Sequence, residues 1–161
     1  MKEAPKKDIY VILHNVRSAF NVGSIFRTAD AAGVRNIYLT GYTPAPLDRF
    51  GRARKDFVKV SLGAEKSVVW EQRKDISSLL SELRAKKISI IALEQNPHSV
   101  DYKKVRAKGD SAIIVGNEAK GIHKSVLVQA DTIAEIPMQG EKESLNVSVA
   151  TGIFLFRLLD S

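Results

Sequence analysis

The first forty residues alternate apolar runs of strand length with one helix-period segment, and this order constrains the fold most. Ile9–His14 (IYVILH) is a short continuous apolar run, the pattern of a buried strand. Asn15–Ala19 is polar and reads as a loop. Asn21–Gly33 then carries Val22, Ile25, Phe26, Ala29 and Ala32 at three- and four-residue steps, which predicts a helix. Asn21 is placed to cap its start and Gly33 to end it. Arg35–Thr40 reads as the next strand. Strand, helix and strand with short joints make a βαβ unit, so an α/β fold with a mostly parallel sheet and helices on both faces is expected.

The rest of the chain continues in that manner. Tyr42–Asp56 interrupts it with Pro44, Pro46 and Gly51 and a basic run of Arg49, Arg52, Arg54 and Lys55, and reads as a long basic loop. Val68–Trp70 is a short strand candidate. Ile76–Lys87 predicts an amphipathic helix with Ile76, Leu79, Leu80 and Leu83 on one face. Ile88–Leu93 and Ala112–Val115 read as buried strands, separated by the polar, loop-rich Gln95–Asp110. A helix at about His123–Gln129 and a strand at about Thr132–Ile136 precede a polar loop, Pro137–Glu143. Asn146–Leu159 is helical and apolar nearly all round, so burial on more than one side, and hence a subunit interface, is expected there.

Length and composition exclude several classes. A chain of 161 residues has the size of one domain, 1–161. Zero cysteine excludes disulfide scaffolds, thiol catalysis and Cys-ligated metal, and fits a reducing cytoplasm. The N-terminus, Met1–Asp8, is polar, with no signal-peptide apolar region, and no apolar run reaches the roughly 18 residues of a membrane helix. No membrane partner is expected. A net charge of +7 favours an anionic partner, for which nucleic acid is the commonest choice. GxGxxG after the first strand, GxxxxGK[ST] and HExxH are all absent, and His14, His98 and His123 are scattered as surface or capping residues. No metal site is expected.

Three polar clusters lie at the edges of predicted elements, where open α/β sheets bind ligands. The first, Asn21–Asp30, contains Arg27, whose guanidinium can fork onto phosphate or ribose oxygens or can simply face solvent. The second is Gly116–Gly121 (GNEAKG), either an ordinary βα turn or a backbone cradle with Glu118 as its charged contact. The third runs from Ile136-Pro137-Met138-Gln139-Gly140 to Ser144-Leu145-Asn146. Ser144 or Asn146 can cap the last helix, while the Pro- and Gly-shaped exit suits a flat ligand.

Taken together, NVGSIFRTADAAGV with Asn21 and Arg27, GNEAKGI after a strand, and IPMQGEKESLNVSVATGIFLF resemble the SpoU/TrmH group of SPOUT-superfamily RNA ribose 2′-O-methyltransferases. The three motifs occur in the group's order and at its spacing, and the resemblance runs from about Ile9 to Leu159. It implies an α/β domain with a C-terminal trefoil knot, which general topology rules would exclude. It implies S-adenosylmethionine as cofactor, held around Leu93, Gly116, Asn117, Ile136, Met138 and Leu145. It implies a homodimer through the first and last helices, and a catalytic set of Arg27, Asn21, Glu118, Ser144 and Asn146. Two roles fit Arg27: a base deprotonated in a special environment, or a charged group stabilising the forming alkoxide. The second accords with guanidinium chemistry. Ser144 and Asn146 would orient Arg27 and the hydroxyl, and Glu118 would hold Arg27 or the substrate.

The sequence also departs from the group. Ala119 stands where the second motif has its middle glycine, harmless only if that position does not need a positive φ. Phe20 stands where relatives often carry histidine, and little effect is expected. Arg17, the Arg49–Lys55 loop and Lys103–Lys108 are candidate contacts to a tRNA or rRNA substrate. Two rival functions share the fold: an inactive RNA-binding or assembly protein, and a base-modifying SPOUT methyltransferase.

Overall fold

The computed structural model describes Glu3 and residues 5–161. Met1, Lys2 and Ala4, part of the polar N-terminal reading, lie outside the described residues. The strands are β1 (Ile9–His14), β2 (Asn36–Thr40), β3 (Trp70–Arg73), β4 (Ser89–Leu93), β5 (Val100–Asp101), β6 (Ser111–Val115) and β7 (Thr132–Glu135). The helices are α1 (Ala19–Ala32), α2 (Lys55–Ser61), α3 (Ala64–Ser67), α4 (Ile76–Ala85), α5 (Lys124–Leu127) and α6 (Val147–Leu159), with one 3₁₀ turn at Tyr102–Lys104. The strands form one sheet in the order β3-β2-β1-β6-β4-β7-β5, and every pairing is parallel. Its centre is built from the most apolar runs, as a sheet covered on both faces requires.

Alternation along the strands divides the core in two. Val11, Leu13, Ile37, Leu39, Ile91, Ile113 and Val115 point to one face, where α1, α2, α3 and α6 supply Val22, Ile25, Phe26, Phe57, Ala64, Phe154, Leu155 and Leu158. Ile12, Tyr38, Ile90, Ala92, Ala112 and Ile114 point to the other, beneath Leu79, Leu80 and Leu83 of α4 and Val126 and Leu127 of α5. Helices α1 and α6 lie side by side: a Cβ on Gly152 would sit 3.4 Å from Thr28 Cγ2.

Local chemistry moves several boundaries. Ser18, not Asn21, caps α1: its hydroxyl accepts from Asn21 N at 3.2 Å, so the helix begins two residues earlier than expected and the Asn21 side chain is left free for other work. Gly33 closes α1 in the left-handed region (φ 69°), as expected. Asn146 caps α6. The strand expected at Val68–Trp70 forms at Trp70–Arg73, where it pairs with Ile37–Thr40. Helices α2 and α3 were not legible, being only seven and four residues long. The all-round apolar reading of α6 resolves into two sides. Thr151, Phe154, Leu155 and Leu158 are buried, whereas Val149, Ile153, Phe156 and Leu159 are 37–50% exposed.

Candidate active site

The sheet changes direction between β1 and its neighbour β6. The chain first builds outward through β2 and β3, then restarts on the other side of β1, and ligand crevices form outside the carboxyl ends of strands at such a switch point. A pocket of about 580 Å³ opens on the far side of that point, outside the carboxyl ends of β6, β4 and β7. It is walled by residues leaving β4 (Leu93–Gln95), β6 (Gly116–Gly121) and β7 (Glu135, Ile136, Met138), and by the segment entering α6 (Glu143–Val147). Asn21, Glu118, Ser144, Asn146, Leu93, Gly116, Asn117, Ile136, Met138 and Leu145 all line it. Arg27 does not.

Three motif residues form one hydrogen-bonded chain. Glu118 Oε1 accepts from Asn21 Nδ2 at 3.0 Å and from Ser18 N at 3.1 Å, and its Oε2 accepts from Arg17 N at 3.1 Å. Asn21 Oδ1 accepts from Asn146 Nδ2 at 3.2 Å. Asn146 Oδ1 in turn accepts from Ser148 N at 2.9 Å and Val149 N at 3.4 Å, satisfying the first turn of α6. The start of α1, the β6 loop and the start of α6 are thus locked together at one rim of the pocket. Within the chain Glu118 ties down the N-terminus of α1 and makes no contact with Arg27, because Arg17, Ser18 and Asn21 present N–H donors and the macrodipole's positive end to it.

The charge state of Glu118 follows from that setting. Burial opposes its ionisation, but the Asn21 side chain and the Arg17 and Ser18 amides outweigh it and hold the carboxyl below the usual carboxylate value. A folded-state value below the unfolded one adds stability that is present above the unfolded value, near pH 4.5, and is lost as pH falls through the lowered one. Glu118→Gln is therefore expected to lower the thermal melt near pH 7 and leave it little changed well below pH 4, so that part of the acid limb of a melt-versus-pH profile flattens; an unaltered acid limb contradicts it.

The β6 loop is shaped by two further side chains. Asn117 Oδ1 accepts from Ala119 N and Lys120 N, both at 2.9 Å, and Nδ2 donates to Asn15 O and Tyr42 Oη, both at 3.1 Å. Asn117 is thereby a brace of the loop, its side-chain amide fully spent. Glu94, which sequence reasoning passed over, accepts from Ile122 N at 2.7 Å and Gln95 N at 3.1 Å, tying the β4 and β6 exits together. It fills space that only glycine at 121 leaves open, since a Cβ there would lie 2.2 Å from Glu94 Oε2, and Gly121 holds φ 66°. Ala119 is not among the positive-φ residues, so alanine in the middle of this motif is accommodated. Asn15 and Tyr42 were also missed, since only folding brings the β1 and β2 exits beside this loop. His14 is half-buried at the end of β1, and burial keeps its imidazole pKa below the ordinary value while Nδ1 pairs with Thr40 Oγ1 at 2.9 Å.

Ser144 sits exposed at the pocket rim, and Arg27 is exposed on α1 outside it. Orientation of Arg27 by Ser144 and Asn146 within one chain is therefore not what the fold shows; the Asn146 amide is engaged by Asn21. Polar groups together with Leu93, Ile136, Met138 and Leu145 line the pocket, the lining that a flat, partly apolar ligand requires.

An all-parallel α/β protein with a pocket outside the carboxyl ends of β6, β4 and β7 is the structural class. Within it, the family model described as the SpoU rRNA Methylase family matches residues 8–156, and the chain belongs to that family. It is 34% identical over 154 residues to a tRNA (guanosine(18)-2′-O)-methyltransferase of Aquifex aeolicus, covering 96% of this chain and 70% of the relative. It is 32% identical over 152 residues to the 23S rRNA (guanosine-2′-O-)-methyltransferase RlmB of Ralstonia nicotianae, covering 92% and 57%. An AdoMet-bound rRNA methyltransferase from Sinorhizobium meliloti superposes with a TM-score of 0.85 at 30% identity, covering 97% of this chain and 57% of that one. The chain thus spans little more than half the length of the last two.

Proposed function

We propose that this protein transfers a methyl group from S-adenosylmethionine to a ribose 2′-hydroxyl of tRNA or rRNA. The observation that carries the reading is the hydrogen-bonded chain Glu118–Asn21–Asn146, which joins all three family motifs at the rim of one pocket. Relatives named as tRNA and rRNA 2′-O-methyltransferases support it.

The pocket fits the cofactor. Its volume lies within the roughly 300–1,000 Å³ of small-molecule sites. Leu93, Ile136, Met138 and Leu145 offer apolar surface to an adenine, and the tight β6 turn brings backbone close to it. When bound, the cofactor supplies an electrophilic methyl on its sulfonium sulfur. The chain's own task is to hold the ribose hydroxyl in line and to stabilise the oxyanion that forms as its proton leaves. Arg27 suits the second part as a fixed positive charge. Asn21 and Asn146, locked to each other, suit the first.

Gly116 tests the cofactor half of the proposal. A Cβ at Gly116 would lie 2.7 Å from Gly121 O and 2.7 Å from Ile122 Cγ1, so the turn must open. Gly116→Ala is expected to weaken S-adenosylmethionine binding by roughly tenfold or more, the equivalent of about 1.4 kcal/mol, in calorimetric titration. Unchanged binding would contradict the pocket assignment.

Two structural expectations complete the reading. We take the passage from β7 through residues 136–146 into α6 as the threaded segment of a trefoil knot, with Gln95 Nε2 donating to Glu143 O at 2.8 Å where the β4 loop meets it. We take 1–161 as one catalytic domain working in the cytoplasm as a homodimer. Support for the dimer is the exposed apolar set on two adjacent helices: Phe20 on α1 and Val149, Ile153, Phe156 and Leu159 on α6. No helix among the described residues is long and apolar enough to cross a membrane. In a dimer of this kind Arg27, exposed on α1 and outside its own chain's pocket, would serve the partner's pocket.

The function is tested with methyl-tritiated S-adenosylmethionine and total RNA from cells lacking the gene. Label recovered as a 2′-O-methyl nucleoside is expected. A base-methylated nucleoside supports the base-modifying reading, and absence of both label and cofactor binding supports the inactive one.

A further inference from the structure

We infer that the loop after β2 presents Phe50, flanked by Arg49 and Arg52, as a stacking platform for an unpaired nucleotide of the substrate RNA. The inference rests on the proposed RNA methyltransferase function and concerns a surface distinct from the cofactor pocket. Phe50 is 65% exposed, yet the loop that carries it is closely built. Asp48 Oδ1 accepts from Phe50 N at 2.8 Å and Arg52 N at 3.0 Å, and Oδ2 accepts from Arg52 Nε at 3.2 Å. Asp48 N donates to Arg52 O at 2.8 Å, Gly51 turns at φ 77°, and Leu47 bridges to Ala53. Backbone donors at Phe50 and Arg52 hold the Asp48 carboxyl below its usual value, so this clamp stays ionised near neutral pH.

A rigid turn that holds an aromatic ring in water has no packing reason to do so. The Arg49 and Arg52 guanidinium carbons lie 4.8 and 4.9 Å from the ring centroid, within cation–π range. Arg49 has no carboxylate within ion-pair reach among the described residues, while Asp48 fixes Arg52. Aromatic and guanidinium planes beside free positive charge are what a splayed-out RNA base and its phosphate recognise. A shallow groove of about 570 Å³ runs beside the ring, lined by Pro44, Ala45, Leu47, Arg54 and Gln72. The loop also leaves the same carboxyl end of the parallel sheet as the pocket, and its first side chain, Tyr42, accepts from Asn117 of the β6 loop at 3.1 Å. A strand of RNA seated at the pocket can thus continue onto Phe50.

The test is fluorescence anisotropy of the full chain with a labelled RNA stem-loop and a blunt RNA duplex of equal length, each with wild type, Phe50→Leu and Phe50→Trp. Wild type is expected to bind the stem-loop more tightly. Phe50→Leu should weaken stem-loop binding roughly 5- to 100-fold and leave duplex binding unchanged, while Phe50→Trp retains it. Equal thermal melts and equal S-adenosylmethionine affinity show that the variants are folded. Wild-type stem-loop affinity in Phe50→Leu overturns the proposal. So does failure of wild type to bind either RNA, and capture of an acidic peptide in its place would assign the loop to a protein. Methyl transfer by wild type, assayed in parallel, separates the two readings: its absence sinks the function while the anisotropy still decides the platform.

Discussion

Arg27→Ala is expected to lower kcat by roughly 10²–10³-fold, the effect of removing one preorganised oxyanion-stabilising group. The affinity for S-adenosylmethionine should stay within about twofold, because a group acting only on the forming charge alters the transition state and not cofactor binding. The structure argues for that split: every other expected site residue lines the pocket, and Arg27 alone stands outside it. Its exposure means that truncation leaves no buried partner stranded, so stability should move by no more than about 0.5 kcal/mol. Arg27→Lys keeps the charge but loses the planar fork, and should recover part of the rate. Single-turnover transfer from labelled cofactor measures kcat, and calorimetry measures affinity. A variant that loses cofactor affinity in proportion to its rate would move Arg27 into the cofactor cleft and end the oxyanion assignment.

Most of the sheet could be read from the chain because its strands are buried on both faces. IYVILH, ISIIAL and AIIV are continuous apolar runs for which few other structures exist. Helices α1 and α4 were legible for a related reason: Val22, Ile25, Phe26 and Ala29, and Ile76, Leu79, Leu80 and Leu83, repeat at helical spacing and are all buried. Elements whose form is decided by partners were not legible. Strand β5 is two residues, Val100 and Asp101, that exist as a strand only against Ala134 and Glu135. Helix α2 packs on α1 where Gly23 leaves room for Phe57 O, which a Cβ would meet at 2.9 Å. The site divides in the same way. The motif residues could be named in advance, but their roles could not. Glu118 was expected to hold Arg27 or the substrate, and nothing in the sequence foretold that within the chain it receives the amides of Arg17 and Ser18, about a hundred residues away. Glu94 carries no motif and is visible only through the two amides that converge on it.

The position of Arg27 leads to the second large effect. If one chain's Arg27 serves the other chain's pocket, an arginine variant and a pocket variant should complement each other. Arg27→Ala retains a sound pocket, and Gly116→Ala retains a sound arginine while its β6 turn is forced open against Gly121 O. Co-expressed with two different tags and purified through both, the mixed dimer has one pocket that is intact and faces an intact Arg27. In a two-fold symmetric dimer that is one site of two, so with cofactor well below saturation about half of the wild-type rate per dimer is expected, against a near-zero rate for Arg27→Ala and about a tenth or less for Gly116→Ala. Were Arg27 to act on its own chain's pocket, one site of the mixed dimer would lack its arginine and the other would bind cofactor weakly, leaving about a twentieth of the wild-type rate or less. The outcome also depends on the face proposed to pair the chains. Phe156→Asp places a charge on a side chain that is 48% exposed in the monomer and lies within the exposed apolar set of α1 and α6. It is expected to give monomers in sedimentation, to keep the cofactor affinity of a pocket built within one chain, and to lose transfer. A monomeric Phe156→Asp protein with full transfer activity would show that each chain completes its own site.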